Sequence, residues 1–408
     1  MQVKWTHFET NTDWSLVLEH KDHSSFKNAI IIIKLTQLLV SSSAASAYTN
    51  ALKESIKKQT EFLNVASLTS SNKVRTDDIF TSLLIQHGRK PVEDLDMERG
   101  EQLQQYSRGS GKAVEHSQDI FLSESDRSDD MNPKSVIITG KAGIGKTVFC
   151  QNLIRDWADN KLFQPQSNRN VPDFKFAYLL TFRQLSLLRD ELVTLREILN
   201  LSSVLDEHSN IDDSLFEYIV DHSQNVLIIL DGFDEYSKQN FIVSDSDDRY
   251  PNSAKEKMPV AALCAKLIKG KILKDSVVMM TSRPDEYDQV KGKIPFDRYV
   301  EITGFSEEQV KKYIEKYFKE NQVMKNAVMD HITRNDNLVS FAHIPVLCSL
   351  MCSYFEYILN ESINTYALPV SMGDIYSEVI KMFLRKHSRT KGAPSKKTLD
   401  KLSKFAAH

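Results

Sequence analysis

Five short apolar runs constrain this chain more than anything else in it: "SVIIT" (135–139), "FKFAYLLT" (174–181), "NVLIILD" (225–231), "SVVMMT" (276–281) and "RYVEIT" (298–303). Each is almost continuously apolar, which marks a strand covered on both faces rather than on one. Helix-length segments separate them, such as "TVFCQNLIRDWADN" and "PVAALCAKLIKG", the second closing on Gly270 where a helical stop is expected. Strand and helix in alternation predict an α/β fold with a parallel sheet.

The first run leads into a loop that matches G-x-x-x-x-G-K-[ST], made of Gly140, Lys141, Ala142, Gly143, Ile144, Gly145, Lys146 and Thr147, with Val148 following in the helix. Glycine suits a backbone that turns tightly with its amides aimed inward, and the helix N-terminus adds partial positive charge in the same direction. Lys146 is placed to reach the β- and γ-phosphates of a nucleotide, and the Thr147 hydroxyl to bind Mg2+. An ordinary glycine-rich turn is the plainer alternative; the strand before and the helix after weigh against it.

A nucleotide carried with Mg2+ calls for an acid on the metal side, and "VLIILDGFDEY" supplies Asp231 at the carboxyl end of its strand, the edge where open α/β sheets bind ligands. Asp234 and Glu235 follow within reach of the γ-phosphate side, where one carboxylate can orient and deprotonate an attacking water. Without the phosphate loop the same residues would read as an acidic turn. In "MMTSRPDE", Arg283 stands just past the fourth strand, where a guanidinium can contact the γ-phosphate and report its presence; a lone arginine there would otherwise be a surface residue.

Past Gly304 the period becomes helical. Ser306 and Gln309 form a capping box ahead of Val310, Tyr313, Ile314, Tyr317 and Phe318, and Pro345 opens a helix with a stripe of Leu347, Leu350, Met351, Tyr354, Phe355 and Ile358. These two helices are expected to pack on one another or on the sheet. A further helix is expected from about Asp374 to Leu384, and a last one with Leu399, Leu402 and Phe405. Upstream, "VRTDDIFTSLLIQHG" (74–88) reads as a capped helix and "SRGSGKAVEHSQ" (107–118) as a linker, while "SSSAASA" (41–47) fits either a linker or a helix turn.

The remaining composition excludes several classes. With 52 basic against 55 acidic residues and a net charge of −3, nothing points to nucleic acid or an anionic membrane as a partner, and "RTKGAPSKK" (389–397) reads as a solvated loop. The polar N-terminus lacks a secretory pattern. The window "AIIIIKLTQLLV" (29–40) has 12 residues and contains Lys34, short of the roughly 20 that span a bilayer, so a buried or interfacial helix is expected there. Cys150, Cys264, Cys348 and Cys352 are too scattered for a disulfide framework and suit a cytoplasmic location; Cys348 and Cys352, four apart on an apolar face, read as core rather than metal ligands.

Taken together, "GKAGIGKT", "LIILDGFDEY", "MMTSRP", "ITGFSEEQVKKYI" and "HIPVLCSLMC" resemble a NACHT-type signal-transduction NTPase, the nucleotide-binding module of NOD-like receptors, over about residues 131–384. The stretch 74–95 is similar to the segment that precedes this module in fish-type and cnidarian-type receptors. The resemblance implies a P-loop three-layer fold with a five-stranded parallel sheet of order 2-3-4-1-5, a helical domain after it and a mostly helical N-terminal region. The expected division is 1–70, an N-terminal helical region; 71–130, a pre-NACHT segment and linker; 131–304, the nucleotide-binding domain; 305–370, a first helical domain; and 371–408, the start of a winged-helix domain inside which the chain stops. Pro345 is implied to pack near the adenine.

The same resemblance implies an ATP/ADP-operated switch, closed with ADP and open with ATP, that hydrolyses weakly with Mg2+. Opened, it is implied to form a homo-oligomer through neighbouring NACHT domains and to signal, through an adaptor, in innate immunity or cell death. The adenine preference is inherited from the family, since no N-K-x-D motif for guanine follows a strand. A turnover ATPase of the AAA+ kind coupled to remodelling is the alternative, and a small-molecule kinase a weaker one.

Overall fold

The computed structural model describes residues 42–64, 73–88, 113–123, 131–164, 170–206, 209–290, 293–360, 370–371, 373–377 and 380. The window 29–40 and the last expected helix lie outside these residues. Of the helix expected from Asp374, residues 373–377 are helical, and Asp374 N donates to Ser371 Oγ at 3.2 Å.

The five apolar runs form the strands Ser135–Thr139, Phe176–Thr181, Val226–Asp231, Val277–Ser282 and Arg298–Gly304. They pair in parallel, and across the sheet the order runs 176–181, 226–231, 277–282, 135–139, 298–304. This is the 2-3-4-1-5 arrangement, with the Arg283 strand between the phosphate-loop strand and the Asp231 strand. Every residue of Val226–Asp231 and Val277–Ser282 is buried, as continuous apolarity requires. Arg298–Gly304 instead alternates buried and half-buried positions, because it lies nearer the rim of the sheet.

A sixth strand was not foreseen. Leu84–His87 pairs antiparallel with Arg298–Gly304, so the stretch 74–88 is a single helical turn at Thr76–Ile79 followed by an edge strand, and the expected capped helix is corrected. The physical reason is the free row of N–H and C=O groups on the outer side of Arg298–Gly304, which a neighbouring strand satisfies and a helix does not. The supposed linker is also corrected in its described part: Val114 N donates to Ile85 O at 2.9 Å, and Ser117–Phe121 forms a 3-10 helix that buries Ile120 and Phe121 completely. Residues 42–59 are helical, which decides the serine-rich stretch. Ala45, Tyr48, Leu52 and Ile56 form one buried face, with the Tyr48 ring 6.1 Å from that of Phe176 at the far edge of the sheet.

The helix Lys146–Ala158 buries Phe149, Cys150, Leu153, Ile154 and Trp157 toward the sheet. Its Asp156 accepts a hydrogen bond from Asn152 Nδ2 at 2.9 Å, and burial pushes its pKa up from 3.8 to about 6. A carboxyl with a raised folded-state pKa favours folding while protonated, below 3.8, and that contribution is lost as pH rises through about 6. Asp156→Asn, which keeps an acceptor for Asn152, is therefore expected to stabilise the protein by ~1 kcal/mol near neutral pH, the partly exposed site being discounted, and to do nothing below about pH 4. Urea midpoints across this range read the difference.

Beyond the sheet, Glu307–Tyr317, Gln322–Thr333, Asp336–Ala342 and Pro345–Asn360 enclose a second core with Ile314, Val328, Ile332, Leu338, Met351 and Phe355. Both arms of the capping box form: Gln309 N donates to Ser306 Oγ at 3.3 Å and Ser306 N to Gln309 Oε1 at 2.7 Å. Glu307–Tyr317 touches Pro345–Asn360, where Tyr317 OH donates to Glu356 Oε2 at 3.0 Å. The buried face of Pro345–Asn360 is Cys348, Met351, Cys352, Tyr354 and Phe355, while Leu347, Leu350 and Ile358 are only partly buried, so the two cysteines are core. The two bodies join at Gly304, whose φ is +106°; there Phe305 N donates to His343 O at 2.9 Å and His343 Nδ1 donates to Phe305 O at 2.6 Å.

Candidate nucleotide-binding site

The strand Ser135–Thr139 delivers the glycine loop to the carboxyl edge of the sheet, and the helix after it begins at Lys146 with Gly145 as its N-cap. Gly143 and Gly145 have φ of +71° and +102°, which disfavours any residue with a Cβ. Space is short as well: a Cβ on Gly143 would stand 2.4 Å from Val346 Cγ1, so that side chain would have to shift, and one on Gly145 would stand a tight 3.0 Å from Leu83 Cδ1. The loop is thus pressed from one side by the helical segment and from the other by the stretch ahead of the sheet.

Lys146 Nζ donates to Gly140 O at 2.6 Å and to Lys141 O at 3.2 Å. Burial lowers its pKa from the usual lysine range and the Arg283 charge adds to this, while Asp234 and Asp231 pull the other way. Asp231 ends its strand buried, and Thr281 Oγ1, on the neighbouring strand, donates to Asp231 Oδ1 at 2.6 Å while accepting from Gly232 N at 2.8 Å. That pair of bonds fixes the carboxylate in one orientation. Cys150 Sγ lies 3.8 Å from the same oxygen.

Arg283 pairs with Asp234, Nε to Oδ2 at 2.7 Å. Glu235 is held by a different residue: Arg183 Nε and Nη2 donate to its Oε2 and Oε1 at 2.9 and 3.1 Å. Sequence reasoning missed Arg183 and Thr281. The available signal for Thr281 was a hydroxyl inside an apolar strand; for Arg183 it was a cation placed just past the strand next to that of Asp231.

Lys146, Asp231, Asp234, Glu235 and Arg283 line one cavity of about 650 Å3, within the range of small-molecule sites. Ala142, Gly143, Ile144, Gly145, Lys146, Thr147 and Val148 form its floor, with Asp231, Asp234, Glu235 and Arg283 on the sheet side and Pro345 and Val346 on the helical side. Gly140 and Lys141 stand outside the wall, turned to the Lys146 ammonium through their carbonyls. Sequence reasoning also missed the apolar wall, where Phe62, Leu63, Ile79, Phe80 and Leu83 face the loop. Charge pairs hold that wall in place: Arg155 Nε and Nη2 donate to Asp77 Oδ1 and Oδ2 at 3.1 and 2.9 Å, Arg155 Nη1 donates to Lys57 O at 3.1 Å, and Lys319 lies 3.3 Å from Asp78. The Arg155 guanidinium holds the Asp77 carboxyl below the usual carboxylate range.

Residues 134–321 match the NACHT domain family. Among curated proteins, the chain is 27% identical over 255 residues to Protein NLRC5 of Ictalurus punctatus, covering 61% of this chain and 14% of that protein. It is 28% identical over 264 residues to NACHT, LRR and PYD domains-containing protein 12 of Homo sapiens, covering 64% of this chain and 23% of that one. To NACHT, LRR and PYD domains-containing protein 1 homolog of Danio rerio it is 29% identical over 227 residues, covering 55% and 15%. The chain thus spans less than a quarter of the length of these relatives. Among solved structures, the FIGL-1 AAA domain in complex with ADP overlaps with a TM-score of 0.33 at 11% identity, covering 79% of this chain and 92% of that one, which is too slight to add to the topology itself. The phosphate loop, the buried acid beside it and the parallel sheet that presents both all fall within the matched stretch, so residues 134–321 are a NACHT domain, similar to those of NOD-like receptor proteins.

Proposed function

We propose that the cavity binds ATP or ADP and that the bound nucleotide sets how the flanking segments pack, making the chain a switch. One observation carries this reading: Val346 N, at the start of the Pro345–Asn360 helix, donates to Gly143 O of the phosphate loop at 3.3 Å, so a change in the loop is felt directly by the helical body. In this reading residues 131–304 hold the nucleotide, 305–370 close over it, and Pro345 lies near the adenine.

Thr147 and Asp231 offer hard oxygen donors that fit Mg2+. Among the described residues no group of three or more His, Cys, Asp or Glu side chains could enclose a metal alone, so these two would hold the ion together with phosphate oxygens and water. When bound, Mg2+ supplies charge neutralisation across the phosphates. Lys146 then contributes a cation to the β- and γ-phosphates, and Glu235 takes a proton from water. The new bond joins that water oxygen to the γ-phosphorus, the bond from γ-phosphorus to the bridging oxygen breaks, and ADP and phosphate leave. Hydrolysis is slow and resets the switch. The ATP form assembles with copies of itself through the NACHT region and signals through an adaptor in innate immunity or cell death within the cytoplasm. Among the described residues no helix is long and apolar enough to cross a membrane.

The test is to identify the nucleotide that co-purifies and to measure mass in solution. ADP in a monomer is expected, with larger assemblies appearing on a non-hydrolysable ATP analogue, and in Glu235→Gln on ATP itself. A protein that binds both nucleotides and stays monomeric throughout defeats the switch, and a turnover rate of about 1 s−1 or more turns the reading toward a working ATPase.

A further inference from the structure

The two acids that follow Asp231 are shared out between two arginines from the strands on either side. Val277–Ser282 leads to Arg283, which takes Asp234. Phe176–Thr181, whose last residue is in register with Asp231, leads to Arg183, which takes Glu235. The two arginines are not equivalent. Arg283 stands on the cavity wall, whereas Arg183 does not line the cavity and meets it only through Glu235, which does.

Arg183 lies in the first turn of the helix Phe182–Leu187, which Thr181 caps by accepting from Gln184 N at 3.3 Å. From that fixed base its two parallel hydrogen bonds occupy both oxygens of Glu235, and Ser186 Oγ, one turn on, donates to the Glu235 main-chain oxygen at 3.4 Å. A two-point guanidinium contact sets the plane of the carboxylate. A general base must bring a free oxygen to water within hydrogen-bond reach. We infer that Arg183 is a positioning residue that restrains hydrolysis, by keeping the Glu235 carboxylate engaged and turned from the water it would deprotonate. The inference rests on the reading of Glu235 as the base.

The restraint is weak by construction. The Arg183 side chain is 79% exposed and that of Glu235 39%, so water competes for both partners and the pair opens readily. Such a contact slows a reset without preventing it. Arg183 is also well placed to be drawn off by any acidic group brought to this edge, which would release Glu235.

The experiment measures single-turnover hydrolysis of Mg-ATP and, separately, Mg-ATP affinity, on the full chain and on Arg183→Ala, Arg183→Lys, Glu235→Gln and the Arg183→Ala/Glu235→Gln double variant. Arg183→Ala is expected to hydrolyse about two- to fivefold faster at unchanged affinity, the range that an exposed pair of this kind can hold. Arg183→Lys should fall between it and the parent, and the double variant should be as slow as Glu235→Gln alone. A gain in rate is not what a merely structural defect produces. Should Arg183→Ala misfold, Arg183→Lys carries the same sign of prediction. A slower or unchanged Arg183→Ala beside an inactive Glu235→Gln overturns the restraint and leaves the base assignment intact. A fully active Glu235→Gln, or a chain that does not bind Mg-ATP, removes the underlying reading and the restraint with it.

Discussion

Lys146→Ala is expected to weaken Mg-ATP binding at least about 100-fold, ~3 kcal/mol, while leaving the fold in place. The loss is large because the ammonium is half-buried at the floor of the cavity, where a charge-assisted hydrogen bond to phosphate is worth ~1.5–3 kcal/mol and a missing one is not replaced by water at full strength. The fold is expected to survive because burial already disfavours the charged amine, so its removal withdraws little stabilisation from the folded state. The two carbonyls it now serves, on Gly140 and Lys141, stand outside the cavity wall. Calorimetric titration together with a thermal melt separates the two effects. An unchanged affinity would place the nucleotide somewhere else and end the site assignment.

Gly304→Ala is expected to destabilise the protein by ~3–5 kcal/mol. The new methyl carbon would sit 2.2 Å from His343 O and 2.9 Å from Ile144 Cδ1, at a φ of +106° that L residues rarely adopt. Backbone strain of this kind costs ~1–3 kcal/mol and overpacking a similar amount. Relaxation is blocked because His343 O accepts from Phe305 N, so moving it away from the methyl group also breaks the bond that fixes the helical body to the sheet. Ile144 belongs to the phosphate loop, so nucleotide affinity should fall together with stability. Urea midpoints and limited proteolysis between residues 304 and 360 measure the effect, and an unperturbed midpoint would mean that the junction is far more pliable than its contacts imply.

How much was legible from the sequence depended on how local each feature is. A parallel strand buried on both faces writes itself as an uninterrupted apolar run, so all five parallel strands were placed within a residue or two, and the glycine loop is a single contiguous motif. The order of those strands came from family resemblance, since spacing carries no information on which strands become neighbours. The edge strand Leu84–His87 was misread because its partner lies more than 200 residues away and its own apolar residues fit a helical period equally well. Arg283 and Asp234 were both singled out, yet their pairing across the strand ends was invisible, and Arg183 drew no notice until the neighbouring strand brought it to Glu235. The apolar wall was missed for the same reason: Phe62 and Phe80 gain meaning only when folded against a loop far along the chain.

Asp77 and Asp78 are successive residues, their Cα atoms only about 3.8 Å apart, yet one holds the helix behind the phosphate loop and the other holds the helical body. Two bodies moored to adjacent links of one chain cannot separate by more than a side chain's reach unless one mooring slips. With the Arg155 side chain 9% exposed and two hydrogen bonds in place, the Asp77 link is the tighter, and added salt, which screens exposed charges first, loosens the Asp78 link before it.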